Sequence, residues 1–257
     1  FLYMKGAEKD MVTEKFVMQT ELTASDDGRH TYEVRRSWSD QGRKGLVLEL
    51  YPTLSAERCG ELDLSTMHLL NHTKDFGWGA VRIINLYSLV CSGKPKTGDL
   101  SYEQENIAYI EEVLESRDIA DYDIVIATGS SLRKHNQTNE IKLDILHMLQ
   151  DKKLEKQVKC IITDSLDTEK QTGIHPLFLG LHYGRDVWKL ESYPVQEELK
   201  ILEDAVNPKA GKSDMKTDSK GSGAKPEMAK DSSTTVIIED KDSSAGKRKG
   251  GKKKDVL

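Results

Sequence analysis

Histidine precedes proline once in this chain, at His175-Pro176 within Gly173-Ile174-His175-Pro176-Leu177. Set in a loop rather than on an apolar face, such a histidine can serve as acid, base or cationic partner near neutral pH. The bland alternative is a ring held for packing alone. Asn85, near the end of the run AVRIINLY, is an amide among apolar neighbours, and it needs a partner, either a loop to fix or a ligand edge to read. Tyr51-Pro52-Thr53-Leu54-Ser55-Ala56 combines a proline-fixed turn with the hydroxyls of Thr53 and Ser55. Asp63, Ser65 and Thr66 follow, with Asp63 a candidate cap for the next helix. Thr128-Gly129-Ser130-Ser131 is a glycine turn whose backbone N–H groups could receive an anion or a polar ring, or serve sterics only.

Other chemistries find no support. His68 and His72 are four apart, but the pattern HLLNH lacks the glutamate and third ligand of a zinc protease. Ser130 has no G-x-S-x-G elbow around it, and Gly93-Lys94 lacks the upstream glycine of a phosphate-binding loop. Asp99 and Glu105 fit as exposed residues flanking a helix start. Cys59, Cys91 and Cys160 are odd in number and widely spaced, which argues against a disulfide framework and for a reducing compartment. No metal or cofactor is implied.

The elements that must position these residues alternate between strand and helix. Thr31–Trp38, Gly45–Leu50, Ala80–Tyr87, Tyr122–Ala127, Val158–Thr163 and a short stretch in Asp186–Tyr193 read as strands. Helices are expected over Leu64–Asp75, from a Ser101 cap through Ile107, Ile110, Val113 and Leu114, and around Ile141, Ile145, Leu146 and Leu149. Strands separated by helices of this length imply right-handed crossovers, and so a three-layer α/β/α sandwich with a mainly parallel central sheet. In such sheets ligands sit outside the carboxyl ends of the strands. That rule gathers Tyr51-Pro52-Thr53, Asn85, Gly129-Ser130 and His175 into one expected pocket.

Composition sets the outer bounds. The 257 residues are 37% hydrophobic and 32% charged, with a mean hydropathy of -0.59. That is polar for a globular chain, so part of it is expected not to pack. Residues 206–257 hold 13 basic and 8 acidic side chains, leaving 25 basic and 35 acidic in residues 1–205. An acidic body thus precedes a basic Lys/Ser/Gly-rich tail that reads as disordered apart from the strand-prone island Thr234–Ile238. Its end, KRKGGKKKDVL, is either solubilising or a contact for nucleic acid or another polyanion. The expected organisation is an N-terminal extension over 1–30, an α/β domain over 31–205 and the tail over 206–257. The chain opens on Phe1, which reads as a fragment or as translation from upstream. No apolar stretch approaches a membrane span, no signal peptide is visible, and a cytoplasmic protein is expected.

The succession YEVRRSW, LVLELYPTLSA, LDLSTMHLLN, GWGAVRIINLYS, EQEN, DIVIATGSS and HPLFL closely resembles the domain of unknown function 1643 family, small α/β proteins from bacteria and their mobile elements. The resemblance runs from about Tyr32 to Tyr193. The family's Asn-Pro-Ser-Thr-Ala appears here as Tyr51-Pro52-Thr53-Leu54-Ser55, without the asparagine. Asp63 and Thr66 match an Asp-x-Thr pair with one extra residue, while Asn85, Glu105-Asn106, Gly129 and His175-Pro176 match directly. The layout is similar, more distantly, to the uracil-DNA glycosylase fold. That likeness implies a histidine loop supporting the leaving base and a first motif that positions water or orients the base.

Two functions follow as expectations. The first is a hydrolase acting on a nucleobase or nucleotide, with His175 and Asn85 catalytic and Tyr51, Pro52, Thr53, Asp63, Thr66, Glu105, Asn106, Gly129 and Ser130 binding the ligand. A nucleoside or single-stranded nucleic acid suits the acidic body better than a duplex. The second is a non-catalytic ligand- or nucleic-acid-binding accessory module.

Overall fold

A computed structural model describes residues 11–166 and 172–207, all within one compact unit. The Lys/Ser/Gly-rich tail from residue 208, with its Thr234–Ile238 island and basic end, lies outside the described residues. Seven strands form one mixed sheet: β1 (Gln19–Ala24), β2 (Thr31–Ser37), β3 (Arg43–Glu49), β4 (Trp78–Asn85), β5 (Tyr122–Ile126), β6 (Val158–Ile162) and β7 (Lys189–Ser192). Their order is β1-β2-β4-β3-β5-β6-β7. The α-helices among the described residues are α1 (Leu64–Asn71), α2 (Thr73–Phe76), α3 (Gln104–Leu114), α4 (Asn136–Asp151), α5 (Pro176–Tyr183) and α6 (Val195–Val206).

The expectation of a mainly parallel sheet needs correcting at the edges. The four central strands β4, β3, β5 and β6 run parallel. The pairings β1–β2, β2–β4 and β6–β7 are antiparallel. The links β1–β2 and β2–β3 are too short to carry a crossover, so each must reverse the chain. The second link passes so close to β4 that a Cβ on Gly79 would lie 2.3 Å from the Gln41 carbonyl oxygen.

Other boundaries move for identifiable reasons. Strand β1 lies inside the segment 1–30 read as an extension, and its half-buried alternation comes from pairing with β2. The helix expected over Leu64–Asp75 breaks at His72, and Gly77 ends α2 in the left-handed region at φ 68°. The N-cap of α3 is Glu103 rather than Ser101. His175-Pro176 is a helix entry rather than a free loop: proline at the first position of α5 loses no helical hydrogen bond there. Helix α6, absent from the sequence reading, buries Val195, Leu199 and Leu202.

Strand alternation sorts the core into two faces. Leu46, Leu48, Ile84, Ile124 and Ile126 pack with α3, α4 and α6 through Ile110, Ile145, Leu149 and Leu199. Val47, Val81, Ile83, Val125 and Ala127 pack with α1 and α5 through Leu69 and Leu179. Helices α1 and α5 meet closely enough that a Cβ on Gly180 would lie 2.0 Å from the His68 ring. No helix is long and apolar enough to cross a membrane among the described residues.

Candidate functional site at the strand ends

The odd-numbered row that faces α1 and α5 changes character where the strands end. After Val47 and Ile83 the next positions on that face are Glu49 and Asn85, and the parallel register places them side by side. Both are buried. Pairing continues past them, with Leu86 N–H donating to Glu49 O at 3.0 Å and Tyr87 N–H to Leu50 O at 3.1 Å. The chain then turns at Pro52. Cys91 N–H donates to Pro52 O at 2.9 Å, and Thr31 Oγ1 donates to Leu54 O at 2.8 Å. These bonds fix the first motif against the body of the sheet.

A cleft of about 310 Å3 opens over this strand end. Glu49, Tyr51, Pro52, Thr53, Asp63, Thr66, Asn85 and His175 all line it. Apolar walls come from Val34, Leu50, Leu54, Ile83, Phe178 and Leu181, and among the described residues no lysine or arginine lines the cleft. Asp63 caps α1, accepting from Thr66 N–H at 2.7 Å, and its other oxygen accepts from Thr53 Oγ1 at 2.6 Å. Burial pushes the Tyr51 hydroxyl above its usual pKa.

His175 is the N-cap of α5, and its Nδ1 accepts the Leu177 N–H at 3.2 Å. A ring nitrogen that accepts carries no proton, so the neutral ring holds its proton on Nε2. That nitrogen lies 3.7 Å from Glu49 Oε2. Burial lowers the His175 pKa to about 4, against an opposing pull from Asp63. Burial, with the Asp63 charge adding to it, raises Glu49 to about 8. Both groups are therefore neutral near pH 7. Glu49 Oε1 and Asn85 Oδ1 are buried without a hydrogen-bond partner among the described residues. Two unsatisfied polar atoms at one strand end are costly to the fold and available to a ligand.

The remaining sequence candidates sit elsewhere. Gly129, at φ 64°, donates its N–H to Gly173 O at 2.8 Å, and a Cβ there would lie 3.1 Å from His175 Cβ. It therefore seats the histidine turn instead of lining the cleft. Ser130 is exposed outside the cleft, which Thr128 and Ser131 line from that turn. Asn106 lies one layer behind, its Nδ2 donating to Asn85 O and Leu86 O, each at 3.0 Å. Glu105 lines a separate cleft with His30, Tyr32, Ser88 and Glu103. His72 stacks on Trp188 at 3.9 Å and bonds Asp75. The sequence reading missed Glu49, although its phase with Val47 and its register with Asn85 mark it as facing the same side.

The chain matches the family model described as protein of unknown function (DUF1643) over residues 31–177. No curated protein matches it. Among solved structures it is similar to carboxyl esterase 2 (TmelEST2) from the mycorrhizal fungus Tuber melanosporum, at 12% identity and a TM-score of 0.30. That alignment covers 78% of this chain and 63% of the esterase chain, and at this TM-score it carries no argument about activity.

Proposed function

We propose, from the premise that this chain belongs to the DUF1643 family, that its strand-end cleft binds the base of a nucleoside and hydrolyses the N-glycosidic bond. The observation that carries this reading is the buried, unpartnered Asn85 Oδ1 in a cleft with apolar walls. A planar heterocycle satisfies both features, with ring faces against Leu50, Leu54 and Phe178 and an edge N–H donated to Asn85. In the transition state the C–N electron pair moves onto the base, and the neutral His175 and Glu49 pair supplies the proton for the charge that develops there. Among the described residues the lining carries two carboxyls and no lysine or arginine, which favours an uncharged nucleoside over a phosphorylated ligand or duplex. The glycosylase-like reading of the fold belongs to this proposal.

The test pairs thermal shift with detection of released base, using free bases, nucleosides and short single-stranded DNA. A nucleoside that raises the Tm by mass action and is cleaved supports the reading. Asn85→Ala should abolish the shift, and His175→Ala should reduce turnover while leaving the protein folded. No shift with any nucleoside overturns it.

Two observations favour a non-catalytic module. Both Asp63 carboxylate oxygens already accept hydrogen bonds, and Tyr51 stands where the resembling family has a polar side chain. A ligand-induced shift without base release would select that alternative. The basic end, outside the described residues, is proposed as a separate polyanion contact, to be checked by deleting Lys247–Lys254 and following the salt dependence of any nucleic-acid binding.

A further inference from the structure

The tautomer of His175 bears on where a proton sits on the neighbouring carboxyl. Leu177 N–H donates to His175 Nδ1 at 3.2 Å, which leaves the ring proton on Nε2. Nε2–H is nearest to Glu49 Oε2, across 3.7 Å, longer than a hydrogen bond but turned toward that oxygen. The other oxygen, Oε1, is buried and has no partner among the described residues. A neutral carboxyl in this setting keeps its hydroxyl proton on Oε1.

We propose that Glu49 is the proton donor of the cleft: Oε1–H is presented to the bound ligand, oriented by the backbone-fixed tautomer of His175. This rests on the nucleoside reading for the identity of the ligand, but the placement of the proton does not. In turnover the Oε1–H bond breaks and its proton passes to the base nitrogen that receives the C–N electron pair. Water adds to the anomeric carbon, and the proton it releases restores the carboxyl. The sum is nucleoside plus water giving base plus sugar, with nothing oxidised or reduced. His175, whose single ring proton faces Oε2, is then a positioning residue for Glu49, and donation to the base falls to Oε1–H.

The groups that face Glu49 agree with a neutral acid. The titratable groups that line the cleft with it are His175 at the entry of α5, Asp63 at the entry of α1 and Tyr51 in the adjoining turn, and no lysine or arginine lines it among the described residues. Among the described residues no cation compensates a carboxylate there, whereas the Asp63 charge opposes one. An acid that titrates near the working pH is suited to giving and regaining a proton.

The experiment uses the full chain in two parts. Glutamate 13C-carboxyl NMR across pH 5–10, with Glu49→Gln to assign the signal, should show one carboxyl that titrates well above pH 7. Imidazole 15N spectra should show His175 protonated on Nε2. Adenosine and cytidine, which keep one protonation state from pH 6 to 9, then serve as binding probes. The wild-type Kd should weaken about tenfold between pH 7 and pH 9, while Glu49→Gln, which keeps a donor in place, should lose that dependence. A Glu49 signal titrating below pH 6, or a His175 proton on Nδ1, overturns the proposal. So does a wild-type Kd that is equal at pH 7 and pH 9. If Glu49 holds its proton and neither nucleoside binds, the nucleoside reading falls and the proton assignment stands.

Discussion

Glu33 and Glu49 are both buried in adjacent parts of one sheet, at 2% and 6% exposure, and they are treated in opposite ways. Glu33 receives Arg82 Nε and Nη2, the latter at 3.0 Å, and the Tyr109 hydroxyl at 2.6 Å. Burial alone would push its pKa up. The hydrogen bonds from Arg82 and Tyr109 outweigh burial and hold it below the ordinary carboxylate value. Glu49 has burial without compensation, and it rises to about 8. A fold pairs the carboxylate it uses to join its own strands. The one left unpaired, at the carboxyl ends of parallel strands, is where an outside molecule can complete the bonding.

The largest effect that would test this contrast is loss of the Glu33 pair. Glu33→Ala strands a buried Arg82 guanidinium and should destabilise by about 3–5 kcal/mol in urea denaturation. A loss below about 1 kcal/mol would mean that the pair is not what holds β2 against β4.

Next is the pH dependence of stability. The raised Glu49 pKa contributes stability that is full below its unfolded value of 4.5 and is lost as pH rises to about 8. The lowered His175 pKa contributes stability that is full above 6.5 and is lost as pH falls to about 4. Between pH 4.5 and 6.5 the two slopes cancel. From 6.5 to 8 the Glu49 slope stands alone, at about 1.4 kcal/mol per pH unit. Urea midpoints should fall across that upper window in the wild type and stay level in Glu49→Gln. The same fall in both would assign the slope to another group.

Gly129→Ala should cost about 1–2 kcal/mol, because an alanine at φ 64° is strained and its Cβ presses on His175. Thermal unfolding and a shifted His175 ring signal would report both consequences. The smallest effect is expected from Asp63→Asn. Asparagine caps a helix about as well as aspartate, so stability should change by only a few tenths of a kcal/mol. Glu49 should nonetheless titrate lower once the neighbouring charge is gone, which is visible in its carboxyl NMR signal.

What the sequence disclosed follows from local chemistry. Tyr51-Pro52, Asn85 and His175-Pro176 are punctuation at strand ends, and one topological rule brought them to a common edge. Glu49 was hidden because a lone glutamate in GLVLEL resembles the outward residue of an alternating strand. Only the register with Asn85 turns it inward. Gly129 was legible as a turn, but its purpose of seating His175 depends on a contact across distant segments. Strand β1 has a polar sequence and gains its order from pairing with β2. Glu105 and Asn106 are adjacent in the chain, yet helical rotation sends one to another cleft and the other behind Asn85.

The interlock of Gly180 with the His68 ring has a consequence for recognition. Phe178 and Leu181 in the outer wall of the cleft ride on α5, whose backbone at Gly180 packs directly on the His68 ring of α1. A wall held that closely cannot swing outward to admit a wider guest. The cleft is preorganised, so little conformational entropy is spent when it fills. It is also a size filter, whose aperture is set by one missing side chain on α5. Any side chain at position 180 would push the helices apart and change which rings fit before it changed a single polar contact.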